Sequence, residues 1–192
     1  MTNPSLKQKH TNGIIVFFVG TLLLAAGMFF YNSNYAQYYI PSESMTNTLK
    51  VDDRVMIKKT DPVNVDIHRG DIIVFKDPGG WLNPNQMIDG KDFLIKRVIA
   101  VGGDTIECCD SNGNNILNGK SLSEPYLKNG NNLDFTQRTI PKGHVWVQGD
   151  NREESKDSRY NNDTQGGAYV PFENIQGKVV YLVWPFYRVT SF

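Results

Sequence analysis

The sequence is poor in the residues that most often announce a scaffold or an active site. Two cysteines in 192 residues are too few for a disulfide framework. They are neighbours, Cys108 and Cys109. A disulfide ordinarily needs Cα atoms ~4.4–6.8 Å apart, so two thiols at a strand end are expected. No His/Cys grouping has zinc-ligand spacing, and neither a metal nor another cofactor is expected. Only three histidines are present. His10 precedes an apolar run, His68 lies in the polar turn Asp66 to Gly70, and His144 follows Pro141-Lys142-Gly143. Each reads as a surface or turn residue. Nothing local assembles a Ser-His-Asp triad, although its members need not be neighbours in sequence. An excess of one charge is missing too, with 20 Lys+Arg against 20 Asp+Glu. That balance excludes a basic nucleic-acid binder and an acidic disordered tail.

Long apolar runs are absent except for one. The mean hydropathy of −0.40 averages over Gly13 to Tyr31, GIIVFFVGTLLLAAGMFFY, which has no charge. As a helix it would be about 28 Å long, close to the ~30 Å of a bilayer core. Phe29, Phe30 and Tyr31 place aromatics at one end, where an interfacial belt would sit. A cleaved signal peptide has a shorter apolar region, ~7–15 residues, and a small-residue cleavage site that does not follow here. A retained anchor is therefore the expectation. Lys7 and Lys9 precede the run, and no acidic residue occurs before Glu43. Positive-inside logic then gives a cytoplasmic tip at 1–12, a transmembrane helix at 13–31 and an extracytoplasmic domain at 32–192.

Beyond Tyr31, short β-branched runs alternate with Gly, Asn, Asp and Pro. Arg54–Ile57, Asp71–Phe75, Leu94–Val101, Asp104–Glu107, Val145–Gln148 and Lys178–Val183 read as strands. Residues 77–92 and 108–140 read as loops or insertions, with a hairpin turn at Asn118-Gly119. The expected fold class is mainly β: an antiparallel, barrel-like domain hung from one N-terminal helix.

Three stretches carry candidate chemistry. In Tyr39-Ile40-Pro41-Ser42-Glu43-Ser44-Met45, two hydroxyls alternate among Ile40, Met45 and Leu49. That suits a serine nucleophile beside a dry pocket, although this stretch alone favours an ordinary Ser-rich turn. In Phe93–Val101, Lys96 shares a strand face with Leu94, Val98 and Ala100. Desolvation there would lower its pKa and let a neutral amine act as a base; a snorkelling Lys on an edge strand is the alternative. In Gly149 to Arg159, Ser155 and Asp157 fall on one face of an extended chain, and Asp157 can pair with Arg159.

Together, in this order and behind an apolar helix, these stretches resemble one family, the bacterial type I signal peptidases or leader peptidases. The serine box is Pro41-Ser42-Glu43-Ser44-Met45-Thr46-Asn47-Thr48-Leu49, a second box is Arg69 to Phe75, the lysine box is Lys96 to Asp104, and the last is Gly149 to Arg159. The resemblance runs from Gly13 to about Tyr187 and is most like the compact, single-helix form. It implies a β domain that rests against the membrane. Ser44 is then the nucleophile and Lys96 the base. Ser42 joins the oxyanion hole, Ser155 orients Lys96, and Asp157 and Arg159 form a structural pair. Ile40, Met45, Leu49 and Ile95 line a shallow pocket for small residues at −1 and −3 of a signal peptide. The implied partners are such peptides and the lipid bilayer of the plasma membrane, with no nucleic acid; contact with the secretion translocon is also allowed. Trp81 and Trp184 to Tyr187 fit an interfacial position and core packing equally. Asn47 stands where the family has Pro, and Ala100 and Gly102 where it has Gly and Pro. A Ser/Lys self-cleaving protein of related fold and a non-catalytic secretion partner are the rival readings.

Overall fold

A computed structural model describes residues 4–61, 64–83, 85, 92–131 and 133–192, with side chains described from residue 16 onward. The expected tip at 1–12, with Lys7, Lys9 and His10, therefore lies outside the described side chains, as do Pro84 and residues 86–91 of the expected 77–92 loop. The chain divides into two compact units, Met1–Ala36 and Gln37–Phe192.

The first unit is essentially one helix, α1 (Pro4–Asn34). It is longer than the apolar run because Ser5-Leu6-Lys7-Gln8-Lys9 ahead of that run consists mostly of good helix formers. Over Val16–Asn34 it is long and apolar enough to cross a membrane, by length and composition.

The second unit is β throughout, with short 3-10 turns. The strands of the chain are β1 (Tyr35–Tyr39, whose first two residues fall in the first unit), β2 (Arg54–Lys59), β3 (Ile72–Lys76), β4 (Phe93–Val101), β5 (Thr105–Cys108), β6 (Asn115–Leu117), β7 (Lys120–Ser121), β8 (Phe135–Thr139), β9 (His144–Gln148), β10 (Val170–Pro171), β11 (Ile175–Trp184) and β12 (Thr190–Ser191). The larger sheet runs β1-β2-β11-β3-β4-β9-β10, with β12 on β11. Its pairings from β2 to β10 are antiparallel. The smaller sheet runs β7-β6-β5-β8 and is likewise antiparallel.

The 108–140 stretch is thus largely strand, which corrects its reading as a loop. Period-two alternation cannot show in strands of two or three residues. The Asn118-Gly119 hairpin is present, with φ of 51° and 75° at its two corners, the left-handed geometry that favours this pair. Cys108 and Cys109 are joined to each other, where two thiols were expected.

β9 shows how the core is laid out. Val145 and Val147 join Ile73, Phe75, Trp81, Leu94 and Val98 in one apolar cluster. Trp146, between them, points the other way and packs with Ile99, Ile106, Phe135 and Ile140. Both faces of the central sheet are therefore covered, and each large side chain so buried contributes about 1.5–3 kcal/mol. Trp81 belongs to this core, with its indole N–H donating to Gly167 O, so it is not an interfacial residue. Trp184, Phe186 and Tyr187 are exposed.

Candidate active site

The site forms where the turn after β1 meets β4. Pro41 and an extended Ser42 (φ −136°, ψ 164°) lead into a single 3-10 turn, Glu43–Met45. The turn directs Ser44 inward, and only 5% of that residue is exposed. Two bonds from Asn151 hold it there. The Asn151 backbone N–H donates to Ser44 O at 3.1 Å, and its side-chain amide donates to Glu43 O at 3.1 Å. Asn151 carried no individual role in the sequence reading, because no local pattern shows that its backbone meets residues over 100 positions earlier.

Lys96 projects from β4 toward this turn. Its Nζ stands 2.8 Å from Ser44 Oγ and donates to Ile95 O at 2.9 Å. It too is 5% exposed. Burial lowers its pKa from the ordinary 10.5 to about 8; Asp157 and Asp150 oppose that shift, and Arg159 assists it. Ser42 Oγ lies 3.4 Å from Ser44 Oγ on the exposed side of the turn. Ser42, Ser44 and Lys96 thus come together in space.

Ser155 takes a different first partner from the one expected. Its hydroxyl donates to Asp157 Oδ2 at 2.7 Å. The same carboxylate accepts the Gly149 N–H at 3.0 Å and Arg159 at 2.8 and 2.9 Å. Burial alone would raise the Asp157 pKa; the Arg159 charge and these hydrogen bonds outweigh it and hold the carboxyl below the usual range. Gly149 is required here. A Cβ on it would lie 2.5 Å from Ser155 Cβ and closer still to Ser155 Oγ and Ser44 O.

The four apolar residues expected to line a shallow pocket are all buried, with Met45 and Leu49 at 0% exposure. Among the described residues, one cluster brings metal-ligand atoms together: Cys108, Cys109 and Asp134.

The family model described as signal peptidase, peptidase S26, matches residues 11–184, a span that includes the apolar part of the helix and every residue of this site. The chain belongs to this family. Among its signal peptidase relatives is the probable signal peptidase I of Mycobacterium leprae, 36% identical over 199 residues, covering 77% of this chain and 68% of that one. Signal peptidase I of Mycobacterium tuberculosis is 35% identical over 191 residues, covering 77% and 64%. The chain thus spans about two thirds of the length of these two relatives. A solved signal peptidase I from Enterococcus faecalis overlays with a TM-score of 0.45 at 29% identity, covering 59% of this chain and 97% of that one. That overlay is too loose to add to the argument.

Proposed function

We propose that this chain is a membrane-anchored serine endopeptidase that removes signal peptides from exported proteins through a Ser44/Lys96 dyad. The observation that carries the reading is the 2.8 Å approach of Lys96 Nζ to a buried Ser44 Oγ, with the amine's pKa lowered toward neutrality. A serine hydroxyl is a poor nucleophile until a base takes its proton. Neutral Lys96 accepts that proton as Ser44 Oγ forms a bond to the scissile carbonyl carbon. The developing oxyanion is received by the Ser44 backbone N–H and the Ser42 hydroxyl, donors typically worth ~2.7–4 kcal/mol each. The C–N bond then breaks, and the proton passes from Lys96 to the departing amine. Lys96 next deprotonates water, which attacks the Ser44 ester and frees the signal peptide. Ser155 acts on Lys96 through Asp157, whose charge lies near the amine.

Helix α1 supplies the anchor in this reading, and Lys7 and Lys9 place the N-terminus in the cytoplasm and the β domain outside. The decisive assay uses the full chain in detergent with a preprotein bearing Ala at −1 and −3. Ser44→Ala and Lys96→Ala are each expected to abolish cleavage, and normal turnover by either would refute the dyad.

A further inference from the structure

We propose that the segment Glu124–Lys128 is a positioning strap that fixes the catalytic groups relative to one another, with Tyr126 as its principal positioning residue. The inference rests on the reading above. The segment follows β7 in the stretch first read as an insertion and lies at least 20 residues from every catalytic box in sequence. In space it touches three of them.

Leu127 O accepts the Asn47 side-chain amide at 3.2 Å, which ties the strap to the serine turn. The Lys128 N–H donates to Asp150 O at 3.1 Å, which ties it to the Gly149–Arg159 loop. The Glu124 carboxylate accepts Arg152 at 2.6 and 3.3 Å, together with Asn115 at 2.9 Å and the Tyr126 hydroxyl at 2.8 Å. Arg152 in turn donates to Gly149 O at 2.9 Å, directly behind the nucleophile turn. The Tyr126 ring lies 4.0 Å from the Arg97 guanidinium, and Arg97 follows Lys96 on β4.

Tyr126 matters to Lys96 through Arg97 and Asp150. Arg97 grips both Asp150 oxygens, at 2.9 and 2.6 Å, and Asp150 also accepts Thr48 Oγ1 at 2.5 Å. The charged groups that face Lys96 are Asp157, Asp150 and Arg159; the two carboxylates favour its protonated form and Arg159 disfavours it. Arg97 offsets the Asp150 charge only while it stays seated; Gly70 O accepts its Nη1 at 2.8 Å and Thr48 Oγ1 its Nη2 at 3.3 Å, and the aromatic face below completes the seat by a cation–π contact. Burial and the neighbouring Glu124 raise the Tyr126 phenol, which therefore stays neutral and contributes a fixed ring.

The test compares cleavage of a preprotein against pH for the full-length wild type, Ser44→Ala, Tyr126→Leu, Tyr126→Phe and Arg97→Lys. With its ring gone, Tyr126→Leu should release Arg97, leave Asp150 less compensated and move the acid limb to higher pH. A half-unit move costs about 3-fold in kcat at pH 7 and little above pH 9. KM should change less than kcat. Tyr126→Phe keeps the ring and should retain the wild-type limb. Arg97→Lys keeps the charge but loses the planar stack, and should move the limb the same way; it carries the test should Tyr126→Leu fail to fold. A merely structural strap would lower the melting temperature and leave the limb in place. An unmoved limb in the folded variants therefore overturns the strap while wild-type cleavage upholds the peptidase reading. A wild type no more active than Ser44→Ala overturns both.

Discussion

Replacing Lys96 by Met should make the fold more resistant to denaturant near neutral pH, and this advantage should shrink as pH rises. Lys96 holds its proton up to about pH 8 in the folded chain, against an ordinary 10.5 when solvated. Below pH 8 both states are protonated, so the folded state carries the full cost of a buried charge. Between 8 and 10.5 the unfolded state binds a proton that the folded state does not, and wild-type stability must rise with pH. At 1.36 kcal/mol per pH unit the whole gap is worth about 3 kcal/mol, of which about 1.4 is recovered by pH 9 and about 2.5 by pH 10. Met fills the space without a charge. It also removes the hydrogen bonds to Ser44 Oγ and Ile95 O, a cost of about 1 kcal/mol each that does not vary with pH. The pH dependence of the difference therefore isolates the charge. The assay is denaturant unfolding of the full chain in mild detergent, followed by the fluorescence of buried Trp81 and Trp146. A wild-type-minus-variant difference that stays flat from pH 7 to 10 would mean that Lys96 titrates alike in both states. It would remove the ground for a lysine base.

Other outcomes follow from the same geometry. The kcat of the wild type should show an acid limb near pH 8, read from a pH–rate profile, because only the neutral amine accepts the Ser44 proton. Gly149→Ala should cost about 100-fold in kcat, since the new Cβ forces Ser44 O or Ser155 to move by the order of an ångström. Gly130→Ala, where a Cβ meets nothing within 4 Å, should cleave normally in the same assay. Arg188 holds both oxygens of buried Asp53 at 2.6 Å and donates to Thr48 O at 3.3 Å. Arg188→Leu should therefore destabilise the fold by about 2 kcal/mol in a denaturant melt, with much of the loss restored by adding Asp53→Asn.

What the sequence made legible follows physical range. β9 and β4 were readable because their β-branched runs are bounded by turn residues, and β11 was found but cut short at both ends, because Gly177 and exposed residues interrupt its pattern. The two faces of β4 were harder. The expectation that Lys96 shares a face with Leu94, Val98 and Ala100 assumes strict alternation. The pairing with β9 shifts between Val98 and Ala100, so Val98 joins one core cluster and Ala100 the other. Proximity of Ser44 to Lys96 was implied by resemblance to a family rather than by spacing. The contacts of Asn151 with the nucleophile turn, the Ser155–Asp157 bond and the Glu124–Lys128 strap were not legible at all. The Asn151 and strap contacts join groups across large separations, for which residue type alone carries no signal; Ser155 and Asp157 are two residues apart, and there the shared face was readable but not the hydrogen bond between them.

Strand β11 pairs with β2 on one side and β3 on the other, although it is made after both. A nascent chain emerges N-terminus first. Until residue 184 has been synthesised, β2 and β3 each present an open edge, and nothing in the larger sheet joins the hairpin of β3 and β4 to the strand that follows the serine turn. Ser44 and Lys96 are then on parts of the larger sheet not yet joined by strand pairing, connected only through loop contacts such as Asn151 with Ser44 O. The larger sheet thus becomes continuous only with the closing strand. The cost is a long wait with unpaired edges, a stage at which this fold is most exposed to aggregation and most dependent on chaperones.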